Sequence, residues 1–150
     1  MTKLKKVSGT LLVVLSLTLP PLLFSCGRHA EVKSELPRIS TIGEVATAMD
    51  SARDSLVVFE IYADWCAPCR ALAPVLNKLA ESYKGKVSFH SINVDQVPEA
   101  AQKFGVGSIP FVVFVKETTM VASLTGMQPE EEYVKIIRQY STLSRVVEKK

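Results

Sequence analysis

Hydrophobic residues along this chain form one long block near the start and a series of shorter runs farther on, separated by a polar gap. Val7 to Phe24 is uncharged and apolar apart from Ser8, Gly9, Thr10, Ser16 and Thr18. Gly27 to Arg38 is polar, charged and without periodicity, the composition of a tether. Extended at about 3.3 Å per residue, about a dozen residues reach roughly 35 to 40 Å. Thr41 followed three residues later by Glu44 fits a capping box that opens a helix to about Ala52. Leu56-Val57-Val58-Phe59-Glu60-Ile61-Tyr62 then reads as a central strand buried on both faces, with Glu60 its one anomaly. Leu72, Val75, Leu76 and Leu79 recur at helical spacing between about Cys66 and Tyr83, with Gly85 as a stop and Pro74 as a kink. Val87 to Val94 predicts a second strand, Pro98 to Phe104 a short helix, and Phe111 to Val115 a third strand in a hairpin with Met120 to Leu124. Glu130 to about Arg145 closes as an amphipathic helix that turns Tyr133, Ile136, Ile137 and Tyr140 inward. The order α-β-α-β-α-β-β-α implies an α/β fold with a mixed sheet of four to five strands and helices on both faces. Internal repeats and low-complexity stretches are absent from the sequence.

The first block changes the picture of where the chain works. Lys3, Lys5 and Lys6 precede the apolar run as the positive start of a secretory signal, and Pro20-Pro21 break it near its end, which favours cleavage over spanning. Leu23-Phe24-Ser25-Cys26 resembles the lipobox of bacterial lipoproteins, although Phe24 stands where a small residue is usual. The resemblance implies lipidation of Cys26 and an exported membrane lipoprotein facing the periplasm or extracytoplasmic space. A signal cut elsewhere and an uncleaved anchor are the alternatives. The expected division is 1–25 signal peptide, 26–38 lipidated N-terminus and tether, and one folded domain over 39–150.

Charge then excludes a function class. The chain has 18 basic and 15 acidic residues, and the three n-region lysines account for the whole excess, so the part after the signal is formally neutral. The pI near 8.8 belongs to the signal, and no basic face for nucleic acid is built.

Without Cys26, the three cysteines reduce to one pair, Cys66 and Cys69, whose short loop contributes little chain-entropy stabilisation. The pair is therefore better explained by chemistry. At three residues apart on a helix the side chains share a face, and the first lies where unpaired backbone N–H groups and the helix dipole stabilise a thiolate. Cys66 is thus the expected nucleophile, and Cys69 the thiol that resolves the mixed disulfide. Neither a metal nor a cofactor is expected, because no second ligand pair exists: His29 sits in the tether and His90 within a strand.

Ala63-Asp64-Trp65-Cys66-Ala67-Pro68-Cys69-Arg70 resembles the active-site motif of the thioredoxin superfamily, with Ala67 where thioredoxins usually have Gly. Pro74 resembles the family's kinking proline, Ile109-Pro110 its cis-proline segment, Gly126 its turn glycine and Ile92-Asn93-Val94-Asp95 the end of its central strand. The resemblance covers about residues 40 to 140. It implies a thioredoxin fold and a protein-disulfide oxidoreductase whose catalytic residues are Cys66, Cys69, Glu60 and Pro110. It also implies a cis bond before Pro110, an Ile109 backbone open to an extended substrate, and an apolar substrate-binding rim of Trp65, Pro68, Ile109 and Gly126.

Two departures bear on proton transfer. Glu60 stands where the family usually buries an Asp under the second cysteine, and Ser91 where it usually has a Lys. Glu60 is read either as a proton-transfer group or as an edge-solvated carboxylate. The implied partners are disulfide-containing protein substrates, a membrane protein that donates electrons, and the membrane itself through the lipid anchor. Ile109 and the Ala-Pro dipeptide resemble reducing members, which favours a reductase. An oxidase of the same fold and a redox-independent polypeptide-binding module are the other readings.

Overall fold

Strand β2 (Leu56–Tyr62) organises the molecule, and all seven of its residues are buried. In the computed structural model, which describes residues 34–51, 53 and 55–142, it lies at the middle of a five-stranded sheet. The signal segment, Cys26 and the first part of the expected tether lie outside the described residues. The elements in chain order are β1 (Arg38–Ile39), α1 (Ile42–Ser51), β2, α2 (Ala67–Ser82), β3 (Val87–Asn93), α3 (Pro98–Phe104), β4 (Phe111–Lys116), β5 (Thr119–Thr125) and α4 (Glu130–Thr142). The spatial order is β1-β3-β2-β4-β5. Strands β1, β3 and β2 run parallel, whereas β4 is antiparallel to both β2 and β5. This is the thioredoxin fold, a mixed five-stranded sheet with four helices.

The alternation of β2 builds two cores, one on each face of the sheet. Val57, Phe59 and Ile61 pack with Val45, Met49, Phe104 and Val113, under α1 and α3. Leu56 and Val58 pack with Leu72, Leu76 and Leu79 of α2 and with Tyr133 and Ile137 of α4. Each fully buried Leu or Ile contributes about 1.5 to 3 kcal/mol relative to an exposed one, so these side chains fix the helices on the sheet. Tyr133 and Ile137 are wholly buried, while Ile136 and Tyr140 pack more shallowly against the same core.

Local signals account for the element ends. Thr41 Oγ1 accepts the Glu44 N–H (3.2 Å), and Glu44 Oε2 accepts the Ser40 N–H (2.8 Å), so the box at the start of α1 reaches back one residue farther than its simplest form. Helix α2 continues through Pro74, which lies on its exposed side. The β4–β5 turn is made by Glu117 and Thr118, both at positive φ (49° and 65°), the two-residue hairpin geometry usually given to Asn or Gly.

The N-terminal margin differs from the sequence expectation. Residues assigned to the end of the tether are part of the fold: Leu36 is buried against the α2 face, and Arg38 and Ile39 pair in register with Ser91 and Ile92. A two-residue strand is too short to show periodicity, and its pairing is supplied by the edge of β3.

Candidate active site

The cysteine pair sits where β2 ends and α2 begins. Cys66 is the N-cap of α2 (φ −78°, ψ 101°), with Pro68 in the first turn, where a missing N–H costs nothing. Cys66 and Cys69 form a disulfide with an S–S distance of 1.99 Å and a Cα–Cα distance of 5.3 Å. The Cys69 N–H points at Cys66 Sγ (3.2 Å), as a capping donor points at an N-cap oxygen. In the reduced protein that N–H and the helix dipole would favour negative charge on Cys66. Both cysteines are buried and cluster with Tyr62 and Ala63, against Val94 and Ile109.

Around them the expected rim residues come together on several loops. Trp65 is 69% exposed, and its Nε1–H donates to Asp95 Oδ2 (2.9 Å). Asp95 is held in turn by Asn93, whose Oδ1 accepts the Asp95 N–H (2.9 Å) and whose Nδ2 donates to Asp64 Oδ2 (3.1 Å). Arg70 donates to the Asp64 carbonyl (2.7 Å). Pro68 is exposed, and Ile109 is half-buried against the cysteine cluster. Pro110 is buried and follows a cis peptide bond. Gly126 joins the same place: its N–H donates to the Pro110 carbonyl (2.8 Å), at φ +72°, a conformation that favours glycine.

Glu60 lies in the central strand, 1% exposed, with Ser91 and Val112 as its register neighbours. That removes the edge-solvated reading. Strand alternation puts it on the α2 face, between Val58, which packs beneath Leu72 and Leu76, and Tyr62, which packs with Cys69. Burial pushes its pKa up from 4.5 to about 7. Its Oε2 has no hydrogen-bond partner among the described residues. His90 is half-buried on the opposite face, stacked on Phe59 with ring centroids 5.8 Å apart, and burial lowers its pKa. It belongs to the packing.

The sequence of this chain matches the thioredoxin family model over residues 44–139, well over half its length. The chain belongs to the thioredoxin family. It is 36% identical to the chloroplastic M-type thioredoxin of Pisum sativum, over 72% of this chain and 61% of that protein. It is 42% identical to a thioredoxin of Alicyclobacillus acidocaldarius, over 53% of this chain and 75% of the relative. The structure superposes on Fasciola hepatica thioredoxin with a TM-score of 0.66 and 30% identity, covering 70% of this chain and 99% of that one. It is therefore a thioredoxin-like redox protein with a disulfide-capable cysteine pair.

Three residues of this thioredoxin-family site escaped the sequence reading. Asp95 fixes the Trp65 indole, and nothing in the linear sequence joins positions 30 residues apart. Met127 adds exposed apolar surface next to Gly126, where a single exposed Met carries no pattern. Leu36, from a stretch assigned to the tether, packs into the core on the α2 side, and its carbonyl accepts the hydroxyl of Ser91, the register neighbour of Glu60. Among the described residues, no group of three or more His, Cys, Asp or Glu is placed to hold a metal ion, and no helix is long and apolar enough to cross a membrane.

Proposed function

We propose that this chain is an extracytoplasmic protein-disulfide reductase, anchored through lipidated Cys26 and re-reduced by a membrane protein. The observation that supports the chemistry is Cys66 Sγ at the N-cap of α2, receiving the Cys69 N–H.

In the proposed cycle, Cys66 thiolate attacks one sulfur of a target disulfide, and the other target sulfur leaves as a thiolate. Cys69 loses its proton to Glu60 and attacks Cys66 Sγ, releasing the second target sulfur as a thiolate. The target gains two electrons and the Cys66–Cys69 disulfide forms. A carboxyl whose pKa lies near 7 can take and return that proton at neutral pH. Trp65, Pro68, Ile109 and Gly126, around cis-Pro110, supply the surface for an extended substrate. Exported compartments keep cysteines oxidised, so a reductase there needs electrons carried outward across the membrane, and an anchor raises the effective concentration of that donor.

Cys69→Ser tests the assignment. It is expected to accumulate mixed disulfides on Cys66, whereas Cys66→Ser traps almost none. Adducts on Cys69 would reverse the roles, and full biological activity without either cysteine would leave a polypeptide-binding module. A reduction potential of the purified protein near about −270 mV supports the reducing direction, and one near about −120 mV overturns it in favour of oxidation.

A further inference from the structure

Strands β2 and β3 end side by side, with Tyr62 and Asn93 in register, and each runs into a tight turn. After β2 the Cys66 N–H donates to the Ala63 carbonyl (3.1 Å), which leaves Asp64 and Trp65 at the exposed tip of that turn. After β3 the Gln96 and Val97 N–H groups both donate to the Asn93 carbonyl (3.0 and 2.9 Å), with Asp95 exposed in that turn. A backbone bond from the Val94 N–H to the Tyr62 carbonyl (2.8 Å) joins the chain beneath the two turns, and beyond it side chains make the connection. Asn93 Nδ2 donates to Asp64 Oδ2 (3.1 Å), Trp65 Nε1–H donates to Asp95 Oδ2 (2.9 Å), and Asn93 Oδ1 accepts the Asp95 N–H (2.9 Å). These bonds close a ring through Asn93, Asp64, Trp65 and Asp95.

Asn93 is the one buried member of the ring, 5% exposed, while the other three are exposed. A buried amide is costly unless it is hydrogen-bonded, and each end of this one faces a partner of fixed character. The backbone N–H of Asp95 can only donate and the ionised carboxylate of Asp64 can only accept, so the chemistry sets which end of the amide points where. An Asp of the same shape would accept from Asp95 but set a second carboxylate against Asp64, and Ala would offer neither bond. Trp65, 69% exposed, has little packing to hold its indole; its direction depends on Asp95, and the direction of Asp95 on Asn93. An aromatic side chain that is already ordered loses less freedom when a partner docks on it, and the difference appears as affinity. The buried cysteines stand outside the ring, held by the disulfide, β2 and α2.

We propose that Asn93 is a positioning residue for protein substrates: its carboxamide clasps the turn before Cys66 to the turn after β3 and so holds the Trp65 indole ready for docking. The clasp acts on recognition of the substrate and not on the sulfur chemistry. Its effect on substrates rests on the reading of Trp65 as part of the docking rim; its hold on the indole does not.

The test uses the full chain with Asn93→Asp, with Asp64→Asn, with both together, and with Trp65→Ala. Asn93→Asp keeps the acceptor for Asp95 and loses the donor for Asp64; the double variant exchanges donor and acceptor between positions 64 and 93 and should remake the clasp. Trp65 is the only tryptophan of the chain, so its indole N–H gives a single signal in nitrogen-15 NMR of the oxidised protein. Each single variant at 64 or 93 should move that signal and speed its hydrogen exchange, and the double variant should restore both. In steady-state reduction of insulin, Asn93→Asp should raise KM about two- to tenfold with kcat unchanged, and the double variant should recover it. Reduction of cystamine, a small disulfide with no polypeptide to dock, should keep its rate throughout. An indole signal unmoved in Asn93→Asp, or a double variant that behaves like Asn93→Asp alone, overturns the proposal. So does a loss on cystamine equal to that on insulin, which places the damage at the cysteines, and so does an unchanged KM in Asn93→Asp when Trp65→Ala raises it. If the indole signal moves and returns as expected while KM is unmoved in every variant, Trp65→Ala included, the hold of Asn93 on the indole is supported and the docking role of Trp65 is overturned.

Discussion

Replacing Glu60 by Gln should change how the stability of the oxidised protein depends on pH. The carboxyl is 1% exposed, and burial raises its pKa from 4.5 to about 7. At 1.36 kcal/mol per unit, that difference amounts to about 3 kcal/mol between the two protonation states. The sign follows from proton counting. Between about pH 4.5 and 7 the folded state holds a proton that the unfolded state has released, so stability falls as pH rises through this window. Below it both states are protonated and there is no penalty; above it the buried carboxylate carries the full cost. Gln keeps the shape and removes the titration, so wild type minus variant should decline by about 3 kcal/mol from pH 4.5 to 8 and then level off. Tyr62 and Tyr133 have pKa values pushed upward, away from this window, and His90 titrates in both proteins and cancels. Urea unfolding of both proteins at unit intervals from pH 4 to 9 measures the difference. Two parallel stability curves would show that Glu60 titrates at its ordinary value and refute the argument from burial.

Other perturbations separate packing, rim and anchor. Leu76→Ala, at a wholly buried position between α2 and the sheet, should cost about 2 to 5 kcal/mol in urea unfolding; a loss under about 1 kcal/mol would mean the core is not closed there. Trp65→Ala should raise KM for a protein disulfide while changing stability by less than about 1 kcal/mol, because the indole is mostly exposed; an unchanged KM would remove Trp65 from the docking surface. Cys26→Ala should release the folded protein from membranes on fractionation, and unchanged retention would make the apolar start of the chain the anchor.

Much of this architecture could be read from the chain because its signals were local or strongly patterned. The β2 run, the α2 repeat of Leu72, Leu76 and Leu79, and the Thr41–Glu44 box each state their structure within a few residues. The cysteines were placed by their position between a buried strand and a helix. What escaped depends on pairing across the chain. Strand β1 exists because β3 offers an edge, and the Trp65–Asp95 bond because two loops meet at the end of the sheet. The turn at Glu117 and Thr118 carries no Gly or Asn to announce its left-handed backbone; the flanking ladder, with Lys116 opposite Thr119, imposes it. Glu60 was visible as an exception to its strand, but only the register, with strands on both sides, distinguishes a buried carboxylate from one at an edge.

The sheet order also sets a hierarchy of opening. At one margin β1 holds on by two residues, and at the other β5 is half exposed, while β2 between them is buried throughout and hydrogen-bonded on both sides. Free energies of local opening rise from such margins toward the middle, so the outer strands should fray many times for each event that reaches β2. Cys66 and Cys69 rest at the end of that strand and on the helix packed over it. Transient loss of either margin therefore leaves the sulfurs in place; loosening of β1 uncovers the edge of β3 at Ser91, the register neighbour of Glu60. Ordinary thermal fluctuation thus reaches the strand beside Glu60 long before it reaches the sulfurs.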